Sequence, residues 1–245
     1  MKERLIFALD VDDFDQARQW VRLLHTEVGV FKIGKQLFTR CGPDVVHMVR
    51  EEGGEVFLDL KYHDIPNTVA KAGIEAARLG VKMFNVHALG GVSMMQRTVA
   101  ELKQAAISEG FALPIVLGVT ILTSSSDADL QELGIYRPVS EMVPLLANLA
   151  KQSGLDGVVA SAQEVPLIRA ACGGDFVVVT PGVRPPTASK DDQCRIMTPE
   201  QAIRAGADYL VVGRPISQAI DPTAAAREII EQMTAGAEPA VNGVV

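Results

Sequence analysis

Cysteine is scarce in this chain of 245 residues: Cys41, Cys172 and Cys194 are far apart and odd in number. They form no CxxC pair, so neither a disulfide framework nor a cysteine-based zinc site is expected, and a reducing cytoplasm is the simplest home. Aromatic residues make up only 5%, and the single tryptophan, Trp20, reads as packing. No apolar run approaches the roughly 18 residues of a membrane span. The run after Lys2-Glu3-Arg4 has five apolar residues before Asp10, too short for a signal peptide. A basic tract is also missing, and the net charge is −7. That balance argues against nucleic acid or an anionic membrane as a partner, although a small anionic ligand feels only local charge. No Pro/Gly/Ser-rich linker divides the chain, so one domain is expected over residues 1–235, with a frayed tail over 236–245.

What is present is a regular alternation. Short apolar runs recur at Leu5–Leu9, Val28–Ile33, Glu55–Leu60, Met83–Val86, Ile115–Val119, Gly157–Ala160, Phe176–Thr180 and Tyr209–Val212. Between them lie stretches with helical spacing, such as Asp15–Leu24, Pro43–Glu52, Thr68–Leu79, Ser93–Glu109, Ser140–Gln152, Pro199–Ala205 and Pro222–Met233. Eight βα units in about 250 residues fit a (β/α)8 TIM barrel. A doubly wound open sheet is the competing arrangement. The strand count and the lack of a dinucleotide fingerprint after strand 1 favour the barrel. Two strand-to-helix segments are long, Thr123–Pro138 and Val183–Thr198, and the second is polar enough to serve as a lid.

Barrels place their chemistry at the C-terminal ends of the strands. Strand 3 is the most informative there. Side chains alternate along a strand, so Leu58 and Leu60 facing the helices would turn Asp59 and Lys61 into the mouth. Asp64 follows on the loop, and an ammonium between Asp59 and Asp64 would stay charged, making Lys61 a proton donor. Lys32, on the neighbouring strand, could hold Asp59 from the other side. The same residues also fit an inert salt-bridge network closing the mouth, but buried charge is costly to keep without a use.

A second cluster follows strands 7 and 8, where Pro181-Gly182-Val183-Arg184 and Gly213-Arg214 suit a phosphate site built from backbone N–H groups and guanidinium forks. Turn glycines with surface arginines are the plainer alternative. Gln193 on the expected lid could reach the same phosphate. His63 and His87 beside Asp59 and Asp64 raise a metal site, which the charges of Lys32 and Lys61 oppose. His25 and His47 fall in helical stretches, and Asp12, Asp13 and Asp15 suit a helix N-terminus, as Asp127 and Asp129 could.

The run Asp59-Leu60-Lys61-Tyr62-His63-Asp64-Ile65-Pro66-Asn67-Thr68 strongly resembles the orotidine 5′-phosphate decarboxylase family. Agreement continues, in order, at Phe7-Ala8-Leu9-Asp10, Phe31-Lys32-Ile33-Gly34, Val119-Thr120-Ile121-Leu122-Thr123-Ser124, Thr180-Pro181-Gly182-Val183-Arg184 and Val212-Gly213-Arg214-Pro215. The resemblance implies decarboxylation of orotidine 5′-monophosphate to uridine 5′-monophosphate (UMP) in pyrimidine biosynthesis, with no metal or organic cofactor. It also implies roles: Lys61 protonates C6, Asp59 lies beside the substrate carboxylate, and Lys32 and Asp10 bind ribose hydroxyls and complete the charge array. Thr123 meets the pyrimidine edge, and Arg184, Gln193, Gly213 and Arg214 take the phosphate. A homodimer is implied, in which Asp64, Ile65 and Thr68 serve the neighbouring subunit's site. Two alternatives stay open. One is a magnesium-dependent hexulose-phosphate synthase or keto-gulonate-phosphate decarboxylase, which would favour an acidic metal ligand at the position of Lys32. The other is a nucleotide-binding barrel without catalysis.

Overall fold

The computed structural model describes residues 1–184 and 197–238. Eight parallel strands close into one barrel in sequence order. They are β1 (Leu5–Ala8), β2 (Val30–Gly34), β3 (Glu55–Tyr62), β4 (Met83–His87), β5 (Ile115–Val119), β6 (Gly157–Val159), β7 (Val177–Pro181) and β8 (Tyr209–Val212). The helices of the first half are α1 (Phe14–Leu24), α2 (Lys35–Cys41), α3 (Asp44–Glu51), α4 (Pro66–Arg78) and α5 (Val92–Glu109). Those of the second half are α6 (Asp127–Glu132), α7 (Val139–Gln152), α8 (Val165–Cys172), α9 (Pro199–Arg204), α10 (Arg214–Ser217) and α11 (Pro222–Ala237).

Period-two alternation sorts the strand residues into two cores. Outward residues such as Phe7, Phe31, Leu58 and Phe84 pack under the helices in the larger core. Inward residues Ile6, Val30, Phe57, Met83, Leu117 and Val179 fill the barrel. Following the inward face toward the C-terminal ends, apolar side chains give way to polar ones: Val30 leads to Lys32, Phe57 to Asp59, and Met83 to Asn85 and His87. The lower barrel is therefore a packed apolar plug and its mouth a ring of polar groups.

Local rules account for the elements. Asp13 caps α1 by accepting from the Gln16 N–H at 2.9 Å. Asp12 instead accepts from Gln36 on α2 at 2.8 Å, tying the loop after β1 to the first turn of α2. Ser126 and Asp129 form a reciprocal capping box at α6, and Thr198 and Gln201 form another at α9. Trp20 packs on Phe7, with ring centroids 5.4 Å apart, and Cys172 is buried. Cys194 lies outside the described residues.

Helix α11 continues through Gly236 and Ala237, two residues past the expected boundary at residue 235. Gly236 is buried there, so close to α9 that a Cβ on it would lie 2.4 Å from the Glu200 carbonyl oxygen. Residues 239–245 of the expected tail lie outside the described residues. Within the long segment Thr123–Pro138, α6 occupies the middle.

Candidate active site

The polar mouth is built first by β2 and β3, paired in parallel with Lys32 beside Phe57 and Gly34 beside Asp59. Lys32 Nζ lies 3.0 Å from Asp10 Oδ1 and 3.7 Å from Asp59 Oδ2. Lys61 Nζ lies 2.6 Å from Asp59 Oδ1. The result is one continuous array, Asp10–Lys32–Asp59–Lys61, with alternating sign. The side chains of Lys32 and Asp59 are each only 12% exposed, so their interaction is less screened than a surface pair. Asp10, at 67%, faces open solvent. A cavity of about 200 Å³ opens on this array and is lined also by Lys35 and Gln36. Gly34 leaves room for it, because a Cβ there would lie 3.2 Å from Lys32 Nζ.

The backbone of β3 changes character here. Leu58 pairs with Phe84 and Tyr62 with Val86, so β3 spends four residues where β4 spends two. Within this bulge Lys61 adopts φ +52°, the one positive φ outside glycine among the described residues. Such a conformation costs of order 1–3 kcal/mol and persists only where surrounding contacts hold it. One such contact is visible: the Lys61 N–H donates to Asn85 Oδ1 at 2.8 Å.

The expectation that one chain's own Asp64 flanks Lys61 is not met. Asp64 is exposed, and its Oδ1 accepts the Ile65 N–H at 2.6 Å. Ile65 and Thr68 are exposed beside it, at the start of α4.

The other expected residues share the same end of the barrel. Thr123 follows β5 and lines a second cavity of about 420 Å³ with Gln163 and Leu167. Arg184 follows β7 and is buried. Its N–H donates to the Met197 carbonyl at 3.1 Å. Gly213 and Arg214 follow β8, which pairs with β1. Closure thus brings Gly213 beside the array: a Cβ on it would lie 3.3 Å from Ala8 Cβ and 3.8 Å from Asp10 Oδ2. Gln193 lies outside the described residues, as does most of the expected lid.

His87 projects from β4 at the mouth, its ring 5.5 Å from that of His63. Burial, then the nearby positive charges of His63, Lys35 and Lys61, hold its pKa down at about 4. Among the described residues, no group of three or more His, Cys, Asp and Glu side chains could hold a metal ion. The oxygens of Asp59, a member of the alternative metal set, are directed at two lysines and an asparagine.

Residues 3–229 match the family model described as Orotidine 5′-phosphate decarboxylase / HUMPS family. The chain belongs to this family. It is 63% identical to the orotidine 5′-phosphate decarboxylase of Syntrophotalea carbinolica, over 97% of each chain. To that of Geotalea daltonii it is 60% identical, over 96% of this chain and 98% of the relative. Among solved structures, the orotidine 5′-phosphate decarboxylase of Lactobacillus acidophilus superposes with a TM-score of 0.80 at 38% identity, covering 94% of this chain and 98% of that one. The family description carries more than one name, and the relatives above are orotidine 5′-phosphate decarboxylases.

Sequence reasoning passed over Asn85. The residue lies on β4, one position before Val86, and received no role. The available signal was its parity: Met83, Asn85 and His87 share one face, and an amide on the inward face of a buried parallel strand needs partners.

Proposed function

We propose that this chain decarboxylates orotidine 5′-monophosphate to UMP, the activity named for its relatives. The observation that carries the reading is the array Asp10–Lys32–Asp59–Lys61 at the barrel mouth. Lys32 stands where the magnesium-dependent alternative would favour an acidic ligand.

The chemistry suits this array. Breaking the bond between C6 and the carboxylate leaves the electron pair in a ring orbital that the ring carbonyls cannot accept. Stabilisation must then come from fixed charge. Lys61 supplies the ammonium at C6 and then its proton, completing UMP; the neutral amine regains a proton from water. Asp59 orients Lys61 and lies beside the substrate carboxylate. Asp10 and Lys32 engage the ribose hydroxyls, Thr123 the pyrimidine edge, and Arg184, Gln193, Gly213 and Arg214 the phosphate. The phosphate grip, remote from C6, holds the ring in register for the reaction.

The site is shared in a homodimer, with Asp64, Ile65 and Thr68 contributed to the neighbouring subunit. Their exposure supports this, as does the exposure of apolar Ile65 (66%) and Leu89 (44%) on the adjoining loops after β3 and β4. The test is the ultraviolet absorbance change of orotidine 5′-monophosphate with purified protein, with and without EDTA. Turnover that persists in EDTA is expected. Loss of turnover in EDTA would restore the metal-dependent reading. A folded protein without turnover would turn the search to sugar phosphates with magnesium.

A further inference from the structure

The bulge in β3 creates a hydrogen-bonding problem that the strand pairing cannot solve. In a regular parallel ladder the β3 N–H groups find carbonyls alternately on β2 and β4, its two neighbours. The register shift between Leu58 and Tyr62 removes that regularity where the two charged residues lie. The Lys61 N–H is satisfied instead by a side chain, Asn85 Oδ1, at 2.8 Å. The other end of the same amide, Asn85 Nδ2, donates to Asp59 Oδ1 at 2.6 Å. Asn85 is fully buried, so its amide has no solvent to turn toward. One planar group thus fixes the backbone from which Lys61 projects and the carboxylate to which Lys61 Nζ is paired.

We infer that Asn85 is a positioning residue for the charge array: it holds Lys61 in its left-handed backbone conformation and sets the aim of Asp59. The inference rests on the decarboxylase reading. It requires both functions of the amide, an acceptor toward Lys61 and a donor toward Asp59. Leucine has nearly the same size and offers neither. Aspartate keeps the acceptor, but when ionised it cannot donate and places a second negative charge against Asp59. When protonated, its hydroxyl regains the donor.

The test measures kcat and KM for orotidine 5′-monophosphate, and UMP affinity by calorimetry, for wild type, Asn85→Leu and Asn85→Asp between pH 5 and 8. Misplacement by an ångström can lower a rate about 100-fold, so a loss of that order in kcat is expected for Asn85→Leu. UMP affinity should change far less, because phosphate and ribose contacts remain. For Asn85→Asp, kcat relative to wild type should rise as pH falls and the introduced carboxyl gains its proton. A residue needed only to fill space would behave differently: Asn85→Leu would keep wild-type kcat, and the Asn85→Asp ratio would not vary with pH. Either result would overturn the inference while wild-type turnover left the function standing. If Asn85→Leu does not fold, the pH-dependent ratio for Asn85→Asp decides alone. A wild-type chain without turnover would remove the function and the inference together.

Discussion

Lys61 combines a rare backbone conformation with a charged side chain, and the two belong together. Its φ of +52° lets the strand turn at the rim while Nζ still reaches Asp59. Lys61→Ala removes the charge and the proton donor but none of the phosphate contacts. We expect kcat to fall by at least the 10²–10⁴-fold typical of a lost general acid, with UMP binding still measurable by calorimetry. Near-wild-type turnover would take Lys61 out of the chemistry. His87, close by, makes a separate statement about stability. Its folded pKa of about 4 lies below the ordinary 6.5, so the unfolded chain takes up the proton first as pH falls. Its contribution is therefore intact above about pH 6.5 and is lost as pH drops toward 4. His87→Gln has no such group to titrate. Denaturation midpoints followed from pH 7 to 4 should fall less steeply for this variant than for wild type, and parallel curves would contradict the assignment.

At the scale of elements, Gly157 shows how closely the strands are fitted. It sits on the inward side of β6, and a Cβ there would lie 2.2 Å from the Val177 carbonyl oxygen and 2.6 Å from Val177 Cβ. The obstacle is backbone, so no rotamer change can relieve it. Gly157→Ala should cost at least the about 1–3 kcal/mol of ordinary overpacking, read as a lower Tm; an unchanged Tm would show that β6 and β7 can part freely. All eight strands were legible in the sequence because each is a short apolar run bounded by turn residues. The end of β3 was missed: it runs to Tyr62, which pairs with Val86 beyond the bulge. Parity along β3 correctly turned Asp59 and Lys61 inward. Helices α2, α6, α8 and α10 were not among the stretches read from the sequence, since four to eight residues carry little of a 3.6-residue period; α9, also short, was read. Asp64 was placed beside Lys61 on proximity in sequence, but its side chain turns back to the Ile65 N–H. Asn85 was missed for a related reason: its role depends on a register shift in the neighbouring strand, which no spacing within β4 encodes.

For the whole molecule, barrel closure sets which distant segments meet. Pairing of β8 with β1 brings Gly213 to Asp10 across two hundred residues of sequence, joining the expected phosphate side to the ribose side. Closure also leaves the loops after β3 and β4 facing outward with Asp64, Ile65 and Leu89 exposed. A chain of net charge −7 that acts on an anionic nucleotide needs its positive groups concentrated at the mouth, where Lys32, Lys35 and Lys61 stand. If Asp64 completes a neighbour's site rather than its own, the lesions Lys61→Ala and Asp64→Ala fall on different subunits of each composite site. In a two-fold dimer formed by random exchange of equal amounts, half the dimers are mixed, and each mixed dimer holds one site with both native residues. Two nearly inactive variants should therefore recover about one quarter of wild-type activity on mixing. Subunit exchange is followed independently with a tagged chain. Exchange without recovery would place Asp64 in the site of its own chain or outside the chemistry, and would separate the shared-site reading from the decarboxylase reading, which the wild-type assay tests alone.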